Sequence, residues 1–217
     1  MGDLLLIRHG ETEWSRTGRH TGNTDVALTR CGLAQAQAVG GALAAYRPVL
    51  VLVSPLQRAV QTAVQAGLPD LRITADLREW DYGGYEGVTT AEIQRRRPGW
   101  DLWNDGTVPG DAEHPGESLT QVAARCDRVL ARIAPFLGGA GAQETGDVVL
   151  VSHGHLLRVL TARYLGLAPC RGALFTLDNA AVCRLGTEHG RPAVRGWNLP
   201  TRAVATQAPP SPTASAA

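Results

Sequence analysis

The sequence has no lysine; all 21 basic residues are arginine. Together with the abundance of alanine and glycine, this reads as a coding bias and carries no functional meaning. A charge imbalance is also missing. With a formal net charge of +1, no global field draws the chain toward nucleic acid or anionic lipid, so anions must be bound by local placement of charge. Long apolar runs are absent. The opening MGDLLLIRHG offers one short run behind an acidic residue, which fits neither a secretory signal nor a span of about 20 apolar residues. A cytoplasmic protein with no membrane or nucleic-acid partner is expected. Cysteine pairs are missing too: Cys31, Cys126, Cys170 and Cys183 are scattered without a CxxC, and reduced, partly buried thiols are expected. The 44% hydrophobic and 19% charged content suggests neither a disordered nor a membrane class.

What is present is a repeated design. Leu4 to Ile7 form a continuous apolar run that stops at Arg8-His9-Gly10, as a strand buried on both faces does at the edge of a sheet. Val49 to Val53 stops likewise at Ser54-Pro55, and Val148 to Val151 at Ser152-His153-Gly154. Each run is followed by a helix-like stretch, with Ser54 and Pro55 read as an N-cap and a first-turn proline. Residues 29–46 read as a helix capped by Thr29, and apolar spacing from Ser118 to Leu137 predicts a long amphipathic one. Weaker strands are expected at 71–74, 181–185 and 193–196, the last two joined through Glu188-His189-Gly190. The alternation predicts an α/β fold, with helices on both faces of a mostly parallel sheet. A single domain over residues 1–199 is expected, with a flexible loop at 138–146 and a disordered Pro/Ser/Thr/Ala tail over 200–217.

Ligands collect at the carboxyl ends of parallel strands, and the first run delivers Arg8, His9 and Gly10 there. The third delivers His153 to the same edge. An arginine beside a histidine, with a second histidine from a distant strand, suits a phosphoryl group. Neutral imidazole attacks phosphorus without bringing negative charge toward an anion, and arginine clamps two phosphate oxygens. Gly10 is read as allowing close approach of backbone to ligand.

Four segments, LLLIRHGET, SPLQRAVQTA, LREWDYGGYEG and VLVSHGH, occur in that order and cover most of residues 3–167. Together they resemble the histidine phosphatase superfamily, also called phosphoglycerate mutase-like. The resemblance implies a three-layer α/β/α sandwich and a phosphomonoesterase acting through a phosphohistidine, without metal or cofactor. It makes His9 the nucleophile, surrounds the transferring oxygens with Arg8, Arg58 and His153, and makes Glu79 the general acid and base in preference to Asp81 and Glu86. It assigns Arg8, Arg58, Ser15, Thr21, Gly22 and Gly154 to substrate contact, Ser15 standing where many members carry Asn. Trp80 and Tyr82, beside Glu79, are expected to wall the leaving-group pocket. The segments WSRTGRHTG and LREWDYGGYEG look especially similar to those of the sedoheptulose bisphosphatase and actinobacterial acid phosphatase branches, which favours a small phosphorylated metabolite such as a sugar phosphate or bisphosphate.

Three other readings compete. A phosphoglycerate mutase shares the core residues but carries a longer insertion with a proline run, which the stretch from Gly87 to Glu117 lacks. A metal-dependent hydrolase built on His9, His153 and His155 finds no acidic cluster and no HExxH spacing. A noncatalytic phosphate-binding module would have no use for so complete a set of reactive groups. A homodimer is the default assembly.

Overall fold

The computed structural model describes residues 2–138 and 146–201. Most of the expected flexible loop (139–145) and nearly all of the expected tail (202–217) lie outside the described residues. The apolar runs form β1 (Leu4–Arg8), β2 (Pro48–Val53) and, after the short edge strand β3 (Leu71–Ile73), β4 (Asp147–Ser152). Strands β5 (Val182–Glu188) and β6 (Arg191–Leu199) complete a six-stranded sheet in the order β3-β2-β4-β1-β5-β6. The first four are parallel, while β5 and β6 add an antiparallel hairpin beside β1. Its turn places His189 and Gly190 at φ of 49° and 78°, the left-handed pair that a tight hairpin requires.

Continuous apolar strands are possible because both faces are covered. Alternate residues serve opposite sides. Leu4, Leu6, Leu150 and Leu52 pack under α6 (Leu119–Ile133) and α7 (Gly154–Tyr164), through Val122, Cys126, Val129, Leu156 and Leu160. Leu5, Ile7, Val51, Val53 and Val151 pack under α2 (Arg30–Leu43) and α3 (Gln57–Gln65), through Val39, Leu43, Ala59 and Ala63. Each fully buried Leu, Ile or Val contributes about 1.5–3 kcal/mol, so the two cores hold the strand ends in a fixed relation. The result is the sandwich expected from the sequence.

Local chemistry accounts for the element ends. Thr29 caps α2 by accepting from Gly32 N–H, and Ser118 caps α6 in a reciprocal box with Gln121. Helix α2 closes at Leu43, short of the expected residue 46; Pro48 disfavours helical backbone at Arg47. The helix expected to start at Pro55 starts at Gln57; its N-cap Leu56 has no polar side chain to cap with, and the Ser54 hydroxyl accepts from Leu56 N–H at 3.3 Å just ahead of the helix. After β1 comes a single four-residue turn, α1 (Glu13–Arg16), in place of a full helix. Two short helices, α4 (Thr90–Arg96) and α5 (Leu102–Asp105), precede α6.

Candidate active site

Strand register assembles the site. In the β1–β4 ladder Arg8 lies opposite Ser152, His9 N–H donates to the Ser152 carbonyl, and Ser54 N–H donates to the Val151 carbonyl. His9, Ser54 and His153 therefore emerge together at the carboxyl edge. The His9 and His153 ring centroids are 5.1 Å apart.

The His9 Nδ1 lies 2.7 Å from the Gly10 carbonyl, an acceptor only, so Nδ1 carries the proton and Nε2 keeps its lone pair. Burial, reinforced by Arg58 and Arg8, holds the His9 pKa well below its ordinary value, and the ring is neutral. A Cβ on Gly10 would lie 2.4 Å from the Gly32 carbonyl oxygen, so the start of α2 by itself requires a glycine here. Gly10 N–H is held by Thr62 of α3 at 3.0 Å.

Arg58 is fully buried and points back along α3 to the strand edge. Its Nε donates to His153 Nδ1 at 3.1 Å, and its Nη atoms donate to the Thr24, Thr21 and Gly22 carbonyls. Because His153 Nδ1 accepts, its proton is on Nε2, which donates to Ser54 Oγ at 2.7 Å. Ser54, read from sequence as a helix cap, accepts from Leu56 N–H just before α3 and also fixes the tautomer of the second histidine. Its position at the end of a buried strand was the only available hint. Arg8 donates through Nη1 to the Leu177 carbonyl, while its buried Nε has no partner among the described residues.

Glu79 reaches the same place from the chain leaving β3. Its carboxylate accepts from Trp80 N–H at 2.9 Å, Leu156 N–H at 2.8 Å and His155 N–H at 3.0 Å, the last two from the first turn of α7. Arg125 of α6, paired with Glu117 at 2.7 Å, donates to the carbonyls of Asp76, Arg78 and Glu79 and so clamps the segment that carries the acid.

Arg8, His9 and Glu79 open onto a cavity of about 240 Å³ whose wall also includes Ser15, Thr21, Tyr82 and Gly154. The Ser15 hydroxyl is bonded within the Thr12 capping box, donating to the Thr12 carbonyl and accepting from Thr12 N–H. Gly22 lies behind the wall: its N–H is held by Glu86 and its carbonyl by Arg58. Trp80 does not wall the cavity as expected. Its ring is wholly buried, its indole N–H donates to the Glu117 carbonyl, and it packs against Trp103. Gly18, Arg19, His20, Thr90, His155, Arg158 and Leu177 complete the lining; Thr90, Arg158 and Leu177 among them were not singled out by sequence reasoning. Tyr82 Oη and His155 Nδ1 are 2.6 Å apart, and His20 lies 4.7 Å from the Tyr82 ring. Burial lowers the pKa of His20 to about 4 and that of His155 well below its ordinary value.

Among the described residues no group of three His, Cys, Asp or Glu side chains is placed to hold a metal ion. Nor is any described helix long and apolar enough to cross a membrane.

Fold and cleft together define an α/β sandwich with an arginine-lined cleft beside a neutral histidine at its strand edge. The sequence profile of the histidine phosphatase superfamily (branch 1) matches residues 4–200. Over 190 residues the chain is 40% identical to an acid phosphatase of Mycobacterium tuberculosis, covering 86% of this chain and 87% of that one. It is 34% identical to the sedoheptulose 1,7-bisphosphatase of Saccharomyces cerevisiae, covering 75% and 67%. The solved structure of a mycobacterial glucosyl-3-phosphoglycerate phosphatase superposes with a TM-score of 0.76 at 32% identity, covering 92% of this chain and all of that one (100%). This chain belongs to the histidine phosphatase superfamily.

Proposed function

We propose that this histidine phosphatase hydrolyses a small phosphorylated metabolite through a phosphohistidine on His9. The free Nε2 lone pair attacks phosphorus in line as the bond from phosphorus to the leaving oxygen breaks. Arg8 and Arg58 stabilise the charge on the transferring oxygens, and His153, held by Arg58 and Ser54, completes the cradle. Glu79 gives its proton to the departing alkoxide. Its carboxylate then takes a proton from the water that attacks the phosphohistidine, which breaks the P–N bond and restores His9 with release of inorganic phosphate. Ser15, Thr21 and Gly154 contact the bound phosphoester, and Tyr82 faces the leaving group.

The observation that carries this reading is the buried neutral His9, its Nε2 unencumbered, sharing one cavity with Arg8 and Glu79. The names of the relatives support a phosphorylated sugar or sugar acid as substrate. The four thiols, none in a disulfide, fit a cytoplasmic enzyme, and a homodimer remains its expected assembly. The test is phosphate release over a panel of phosphorylated metabolites. One preferred compound is expected, with turnover lost in His9→Ala; a His9→Ala protein as active as the wild type would overturn the proposal.

A further inference from the structure

We propose that Arg158 is a second anion anchor, and that the substrate of the site proposed above therefore carries a second acidic group, a carboxylate or another phosphate, beyond the one that is transferred. Arg158 lies one helical turn after Gly154 on α7, on the same face, so the two residues are about 6 Å apart along the helix. Gly154 abuts the Arg8 guanidinium, where a Cβ would meet Nε at 3.4 Å, so two arginines reached from neighbouring turns of α7 border one cavity.

The Arg158 side chain is fixed in advance of any ligand. Its carbon stem and head lie over the Trp103 ring, with Cζ 4.6 Å from the centroid, and Nε and Nη2 donate to the Gly172 and Ala173 carbonyls. Among the described residues Nη1 has no acceptor and no carboxylate lies within salt-bridge distance of the group. A half-buried guanidinium held by neutral carbonyls keeps its full charge and one edge of donors for an external acceptor. The lining as a whole carries three arginines, Arg8, Arg19 and Arg158, against one carboxylate, Glu79. In the reading proposed above Arg8 serves the transferred phosphoryl group from this lining, which leaves Arg158 as positive charge for a second acidic group.

The test compares matched substrates. 3-Phosphoglycerate against glycerol 3-phosphate isolates a carboxylate; fructose 1,6-bisphosphate against fructose 6-phosphate isolates a second phosphate. One pair is expected to show kcat/KM at least about thirtyfold higher for the doubly acidic member, the worth of one charge-assisted bidentate contact, and the pair that does so identifies the acid. Arg158→Gln should reduce that ratio to near one by raising KM more than it lowers kcat, and Arg158→Lys should retain part of it. Ratios near one in the wild type for both pairs would overturn the inference, as would a ratio that survives Arg158→Gln. Activity persisting in His9→Ala would instead bring down the phosphohistidine reading, whatever the ratios.

Discussion

The two ends of the cavity are built by different means. At the inner end His9 opens onto the cavity from the terminus of β1, and Ser54, His153 and Arg58, which are not among its lining residues, back it from the ends of β2 and β4 and from α3. His153, Ser54 and Arg58 are fully buried and bonded to one another. At the outer end His20, Tyr82, His155 and Arg158 come from loops and from the half-buried face of α7, and they meet mainly through ring contacts and single hydrogen bonds. In the proposed reading sheet register places the groups for phosphoryl transfer, whereas loop packing sets which leaving group fits. Changes at the inner end should therefore act on turnover, and changes at the outer end on substrate preference.

The largest departure from that division is expected at Glu79, which is attached to both ends through its bonds to Trp80 and to the first turn of α7. Glu79→Gln should lower turnover by about 10² to 10⁴-fold while inorganic phosphate still binds. Equal loss of turnover and phosphate affinity, measured by steady-state kinetics and calorimetry, would remove its acid role.

Acid should weaken both ends together. His9, His153 and His155 have pKa values held well below the ordinary 6.5, and His20 about 4, mainly because burial disfavours the charged ring. The unfolded chain then binds more protons below pH 6.5, so the stability from these neutral rings is complete above that value and declines as pH falls toward 4. The slope is at most about 1.4 kcal/mol per ring per pH unit. Melting curves from pH 7 to 4 should show the decline, and His20→Gln should flatten it; an unchanged slope would mean that the His20 ring is not desolvated.

Ser54→Ala takes the acceptor from His153 Nε2 and should cost about tenfold in turnover, with Ser54→Thr restoring most of it. A loss confined to KM would place Ser54 with the outer end. The smallest effect is expected from Tyr82→Phe, which breaks the 2.6 Å bond to His155. A change of a few fold in KM, about 0.5–1 kcal/mol, with kcat nearly constant would sharpen the division, and a collapse of kcat would break it.

The inner end was legible in the sequence because its residues stand where apolar runs stop. Arg8-His9 and Ser152-His153 announce a strand edge, and the two-sided burial of Leu4 to Ile7 follows from a run without alternation. Ser54 was legible in place and only in part of its role: a serine before a proline has the look of a helix cap, and it does accept from Leu56 N–H, but only the fold reveals His153 beside it. The outer end was hidden for a different reason. Trp80 is next to Glu79 in the chain, but consecutive side chains of a non-helical segment diverge, so one faces the cavity and the other the core. Arg158 has the look of a solvated helix residue until Trp103, far away in the sequence, comes under it. Contacts between distant loops leave no periodic trace.

Rapid quenching during turnover of a ³²P-labelled phosphoester, followed by digestion and mapping of the labelled peptide, probes the role of His9 most directly. An acid-labile, alkali-stable label on His9, absent from His9→Ala, is the predicted result. Label on another residue, or full turnover with no labelled enzyme at any time, would contradict it.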